Sequence, residues 1–267
     1  MEYRILKSVL LLCLSVFSSA AFSNDGEFPN RELYPEVPYI SIQDLHKQKD
    51  NTEIVDVRSA YEYDTLRIKG ARNIPLNSSD FIERVKTLRT TSNKPIVFYC
   101  NGKTCKKSYK ATRKALKAQI QDVIVYDAGI FDWAKQYPND SELLGKSPIK
   151  PEQLISSAQF KAHLLEHNDF IKKASNNSII LDIRDPTQRD GLFIFNGSEI
   201  PIPMDNAKMQ KYIDMAKNEN RTLMIYDAVG KQVRWLQYYL EDQNLKSYYF
   251  MEGGAKSFFD ELLSNYQ

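Results

Sequence analysis

The feature that most restricts the fold is an internal repeat. Val55-Asp56-Val57-Arg58 returns as Leu181-Asp182-Ile183-Arg184, and Asn73-Ile74-Pro75-Leu76 returns as Glu199-Ile200-Pro201-Ile202, each 126 residues further along. Val97-Phe98-Tyr99-Cys100 returns as Met224-Ile225-Tyr226-Asp227 at 127, and Ala128-Gly129 as Gly253-Gly254 at 125. Four landmarks in one order at nearly constant spacing predict two tandem domains of one architecture. The 267 residues suit two domains of ordinary size.

Within the first copy, short apolar runs alternate with helical stretches. Helices are expected over 42–47 behind the cap Ser41, over 81–88, over about 105–118 and from 128 onward. Buried strands are expected over 53–57, 95–99 and 123–126. That alternation predicts an α/β fold: two tandem domains, each a parallel sheet flanked by helices. The boundaries predicted are a signal peptide over 1–23, an extended leader over 24–38, a first domain over 39–137, a linker over 138–151 and a second domain over 152–267.

The signal peptide is expected from Arg4 and Lys7, the apolar run 9–17 and the small residues Ser18-Ser19-Ala20-Ala21. The run is short for a transmembrane helix. The mature chain is therefore expected to be exported, periplasmic or secreted, and not membrane-embedded. Net charge is only +2, and the basic stretch 103–117 is expected to be a solvated helix face, so no nucleic-acid partner is predicted. Loss of the signal peptide removes Cys13 and leaves Cys100 and Cys105 in one loop. The pair can join as a catalytic intermediate or an inert resting disulfide. His46, His163 and His167 show no ligand pattern with them and are expected at the surface, so no metal site and no cofactor are predicted.

Cys100 is predicted to sit at an elbow between a buried strand and a basic helix. The loop amides and the helix N-terminus form an anion-binding concavity there. Lys103, Lys106 and Lys107 add positive charge, and Gly102 permits the tight turn that points several N–H groups inward. Such surroundings favour a thiolate. The candidate site is Cys100 as nucleophile, Cys105 as possible resolving thiol or plain helix-start residue, and Asn101, Gly102, Lys103, Thr104 and Lys106 as the substrate-binding loop. In the second copy Asp227 stands at the cysteine position. A carboxylate cannot act as a sulfur nucleophile, so that domain is expected to be a structural partner.

Asp56-Val57-Arg58 with Glu62-Tyr63, then Ile68-Lys69-Gly70-Ala71-Arg72-Asn73-Ile74-Pro75, a strand ending in cysteine, and Ala128-Gly129 with Trp133 resemble a rhodanese (sulfurtransferase) domain. The resemblance spans nearly the whole mature chain as two copies. It implies a rhodanese-type α/β fold and Cys100 as the persulfide-forming cysteine, with Asp56 and Arg58 bracing the loops. Tandem members of the family usually carry the cysteine in the C-terminal copy, whereas here it is in the N-terminal one. The family's loop has glycine three and arginine five residues after the cysteine; here Gly102 comes two after and Cys105 five after. Arg67 replaces the histidine common before the Ile-x-Gly-Ala stretch.

The expected activity is transfer of sulfane sulfur from a small donor anion, such as thiosulfate or mercaptopyruvate, to a thiol acceptor or reductant. A cysteine-loop phosphatase or arsenate reductase is an alternative; it needs a bidentate arginine where Lys106 stands. A thiol redox sensor or sulfur-binding module is another.

Overall fold

The computed structural model describes residues 27–174, 177–189 and 193–264. The signal peptide expected over 1–23 lies outside them.

In the first half the strands are β1 (Tyr39–Ile40), β2 (Glu53–Asp56), β3 (Leu66–Ile68), β4 (Arg72–Asn73), β5 (Ile96–Tyr99), β6 (Val123–Tyr126) and β7 (Ser141–Leu143). The second half has β8 (Leu164–Leu165), β9 (Ser178–Asp182), β10 (Ile200–Pro201), β11 (Thr222–Tyr226) and β12 (Tyr248–Met251). One sheet runs β1-β6-β5-β2-β4 and the other β8-β12-β11-β9-β10, with parallel pairing throughout. The two orders match strand for strand.

Strand β5 is buried at every residue because helices cover both faces of its sheet. Val97 and Tyr99 enter one apolar cluster, with Trp133. Ile96, Phe98 and Cys100 enter the other, with Phe81, Val85, Ala111 and Ala115. The period-two alternation of a strand thus divides consecutive residues between two cores.

Residues 27–38, expected as part of an extended leader, are docked instead. Asn30–Leu33 is a helical turn, and Tyr34 and Val37 pack with Tyr109 and Val125. Arg31 grips Asp127 through Nε and Nη2 at 2.8 and 3.2 Å. The expected linker over 138–151 is likewise woven into the first domain. Strand β7 pairs antiparallel with β3, and Ser141, Leu143 and Ile149 are buried. Polar, proline-bearing composition concealed these contacts, which are made by a few apolar side chains to partners far away in sequence.

Second-domain residues reach the first domain's core. Trp235 and Tyr238, on the helix Val233–Asp242, belong to the cluster that holds Tyr99, Trp133 and Ile130. Polar ties add to it, Tyr61 Oη donating to Asn206 at 2.6 Å and Lys146 meeting Asp242 at 2.9 Å. The histidines are engaged: His46 stacks on Tyr137 and meets Asp140, His163 stacks on Tyr248, and His167 lies against Glu261. Among the described residues no helix is long and apolar enough to cross a membrane, and no cluster of three or more His, Cys, Asp or Glu could hold a metal.

Candidate active site

Cys100 follows the central strand β5 at the carboxyl edge of the sheet, where open parallel sheets carry their ligand sites. Its side chain is 1% exposed. The helix expected from about 105 begins at Lys107 and runs to Lys117, leaving 100–106 as the loop. Cys105 N–H donates to the Gly102 carbonyl at 2.8 Å, which closes a turn inside that loop. The sulfurs of Cys100 and Cys105 are joined in a disulfide, with their Cα atoms 6.5 Å apart.

Ser108 was not foreseen. It lies in the first turn of the helix, fully buried, with Oγ 3.3 Å from Cys100 Sγ. Helical side chains lean toward the N-terminus, so a first-turn hydroxyl reaches back into the loop. There it can donate a hydrogen bond to a Cys100 thiolate.

The three lysines expected around the thiol divide between different tasks. Lys103 faces the leader, in contact with Glu27 and 3.3 Å from Asp132. Glu27, with Asp132, holds its ammonium protonated above the usual lysine range. Asn30 Nδ2 also donates to the Lys103 carbonyl at 3.1 Å, so the leader grips this residue twice. Lys107 lies 3.6 Å from Glu62. Lys106 precedes the helix and is exposed, as is Thr104. The positive charge close to the thiol is therefore smaller than the lysine count suggests.

What holds the loop is a buried polar chain. Arg58 is wholly buried and forks onto Asp56, Nε to Oδ1 at 2.9 Å and Nη2 to Oδ2 at 2.5 Å. Its Nη2 also donates to the Leu66 carbonyl, and Nη1 reaches Asn101 Oδ1 at 3.2 Å. Asn101 Nδ2 in turn donates to Glu62 at 3.1 Å. Glu62 completes a capping box with Ser59 at the start of the helix Ala60–Thr65. Burial alone would raise the Glu62 carboxyl, but Lys107, Arg58, Asn101 and the Ser59 N–H together hold it below the ordinary range. Asn101, expected to face substrate, is thus the bolt between loop and scaffold.

Gly129 explains the Ala128-Gly129 landmark. It has φ +78°, and a Cβ there would lie 2.3 Å from the Gly102 nitrogen. The start of the next helix lies against the loop, and a side chain would push it away. In the second domain a Cβ on Gly254 would lie 2.5 Å from the Asp227 carbonyl oxygen.

The second loop keeps this scaffold and alters its contents. Asp182 and Arg184 repeat the buried fork, Nε to Oδ1 at 2.9 Å and Nη2 to Oδ2 at 2.7 Å. The Asp227 carboxylate, however, accepts from the backbone N–H of Val229 at 2.9 Å, Gln232 at 2.5 Å and Val233 at 3.2 Å, and from that of Gly230. An anion on the chain itself fills the concavity.

Comparison with known proteins agrees with this geometry. Residues 41–136 match the family model described as Rhodanese-like domain. The first domain is a rhodanese-like domain. The second domain shares its strand order and its Asp-x-Arg fork. The chain is 34% identical over 88 residues to a tRNA uridine(34) hydroxylase of Cytophaga hutchinsonii, covering 33% of this chain and 28% of that protein. It is 34% identical over 90 residues to the probable adenylyltransferase/sulfurtransferase MoeZ of Mycobacterium tuberculosis, covering 33% and 21%. The match thus spans less than a third of each relative. A thiosulfate sulfurtransferase structure from Pseudomonas aeruginosa aligns over 87% of this chain and 46% of that one, at 18% identity and a TM-score of 0.37.

Proposed function

We propose that the protein is an exported sulfurtransferase that moves sulfane sulfur from a small anion to a thiol through a persulfide on Cys100. The observation that carries this reading is the twin loop of the second domain, where four backbone amides hold a carboxylate at the position of Cys100. A loop of that design favours an anion inside it, which is what a thiolate, a persulfide and thiosulfate have in common. The sulfurtransferase in the name of one relative is consistent with it.

In the reaction, the Cys100 thiolate attacks the outer sulfur of thiosulfate. A sulfur–sulfur bond forms, the bond to the sulfonate sulfur breaks, and sulfite leaves with the electron pair. Ser108 donates to the attacking sulfur, and the loop amides stabilise the persulfide. Cys105 then attacks Cys100 Sγ and expels hydrosulfide, leaving the Cys100–Cys105 disulfide. An external dithiol restores both thiols by two-electron exchange and is itself oxidised to a disulfide. Alternatively, an external thiol takes the outer sulfur directly and Cys105 stays reduced.

The test is mass spectrometry of the reduced protein after incubation with thiosulfate or mercaptopyruvate. The Cys100 peptide should gain the mass of one sulfur atom. A second reading, a dithiol redox module, is favoured by the disulfide itself. It would be supported by a Cys100–Cys105 pair that cycles with external thiols while no donor ever adds sulfur. Export would be checked by intact mass, since mature protein should lack the charged and apolar start.

A further inference from the structure

The second domain carries no thiol in its loop, yet one of its side chains is built into the support of the first domain's loop. Trp235 is 5% exposed, and its ring lies 4.9 Å from the Arg58 guanidinium carbon. Arg58 is the residue that reaches Asn101, next to Cys100. The same indole stacks on Phe131 at 5.4 Å, two residues past the glycine that abuts Gly102. One aromatic ring thus lies against Arg58 and against the helix whose first residue, Gly129, abuts the loop. In the second domain, among the described residues, Arg184 packs near its own Tyr226, as Arg58 does near Tyr99, and its Nη1 reaches the Gln188 carbonyl.

We infer that Trp235 is a positioning residue for Cys100, acting through Arg58 and Asn101, so that the thiol-less domain is a working part of the site. The physical reason is that Asp56 holds the Nε–Nη2 edge of the rigid guanidinium, while the plane as a whole can still swing about that edge and carry Nη1 off Asn101. An aromatic face against the cation restrains that swing. Asn101 is then held at one orientation, and with it the turn that carries Cys100. Without the ring, the loop samples open arrangements in which Cys100 is less well placed for attack and more accessible from outside.

This inference rests on the sulfur-transfer reading for its first readout and is independent of it for the second. The experiment compares Trp235→Leu, which keeps bulk and removes the π-face, with Trp235→Phe, which keeps a face, in the full chain. Melting temperature serves as the check that each is folded. In Trp235→Leu, the rate of Cys100 persulfide formation at saturating thiosulfate should fall about tenfold with little change in KM. Reduction of the Cys100–Cys105 disulfide by dithiothreitol, followed by alkylation and mass, should speed up in the same variant, because attack on a buried sulfur requires the loop to open. Trp235→Phe should restore most of both rates. In an Asn101→Ala background, Trp235→Leu should add nothing further, the non-additivity expected of residues acting through one another.

Unchanged rates in folded Trp235→Leu, additive effects with Asn101→Ala, or failure of Trp235→Phe to rescue would overturn the inference. If Trp235→Leu does not fold, Trp235→Met, which also fills the space without an aromatic face, takes its place in every comparison. If wild-type protein forms no persulfide with any donor, the sulfur-transfer reading fails, and the reduction rates still judge Trp235.

Discussion

The loops at 100–106 and 227–232 follow equivalent central strands in sheets of the same strand order, and they differ in what fills them. One contains a thiol joined to a second thiol; the other contains a carboxylate bound to four of its own amides. The scaffold beneath is common to both: a buried Asp-x-Arg fork and a glycine pressed against the loop. In the second domain the fold thus forms a cradle for an anion, and the residue at that one position is what distinguishes the two loops. Asp227 closes it in the way a bound ligand would.

The largest expected effect separates the two loops by activity. Cys100→Ser should abolish donor-dependent persulfide formation, because the hydroxyl does not ionise near neutral pH. Asp227→Ala should leave that half-reaction in place. Cys105→Ser should still form the persulfide and prolong its lifetime. Persulfide on Cys100→Ser protein, or its loss in well-folded Asp227→Ala, would break the contrast.

Next in size, the shared fork should matter equally in both halves. Asp56→Ala and Asp182→Ala each take the paired carboxylate from a buried guanidinium and should cost about 3–5 kcal/mol in urea unfolding. A much smaller loss at either position would show that the two forks are not equivalent. Smaller still, Asp227→Ala should cost about 1–3 kcal/mol by leaving loop amides without an acceptor. Its melting temperature should then rise with added sulfate more than that of wild type, since the emptied cradle can take an external anion. No difference in sulfate response would mean that the loop collapses when its carboxylate is removed.

The smallest effect sharpens the comparison by pH. Glu62 braces Asn101 in the first domain, and the residue playing the same capping role in the second is the neutral Gln188. The folded Glu62 carboxyl is held below its ordinary range, so its contribution to stability is complete above that range and is lost as pH falls through the depressed value. Acidification should loosen the first loop, visible as faster amide exchange around Asn101. Glu62→Gln should flatten that dependence, and an acid response unchanged in Glu62→Gln would contradict it.

Much of the architecture is local information and was legible in the sequence. The repeat, the apolar runs that become β2, β5, β6 and β11, the Ser41 cap and the cysteine at the strand-to-helix elbow depend on periodicity and spacing, which act over a few residues. Two-residue strands such as β4 and β10, and β7 within the apparent linker, carry too few residues to show a period. They exist because long parallel neighbours or β3 present unpaired backbone to them. The docked leader and the engaged histidines were hidden for the same reason, their partners lying far along the chain.

At the site, the sequence by itself determined which atoms are present: a cysteine sulfur at the strand end, a second within reach, a glycine turn and a carboxylate at the equivalent place in the other copy. Only the tertiary structure decided how they are used. It turned Lys103 toward the leader, set Lys107 on Glu62, made Asn101 a brace, brought Ser108 to the sulfur and laid Trp235 of one domain on Arg58 of the other. Lysine, asparagine and tryptophan each have several possible partners of similar local energy. The choice among them is made by which distant groups the folded sheets bring within a few ångströms, and no spacing along the chain encodes that distance.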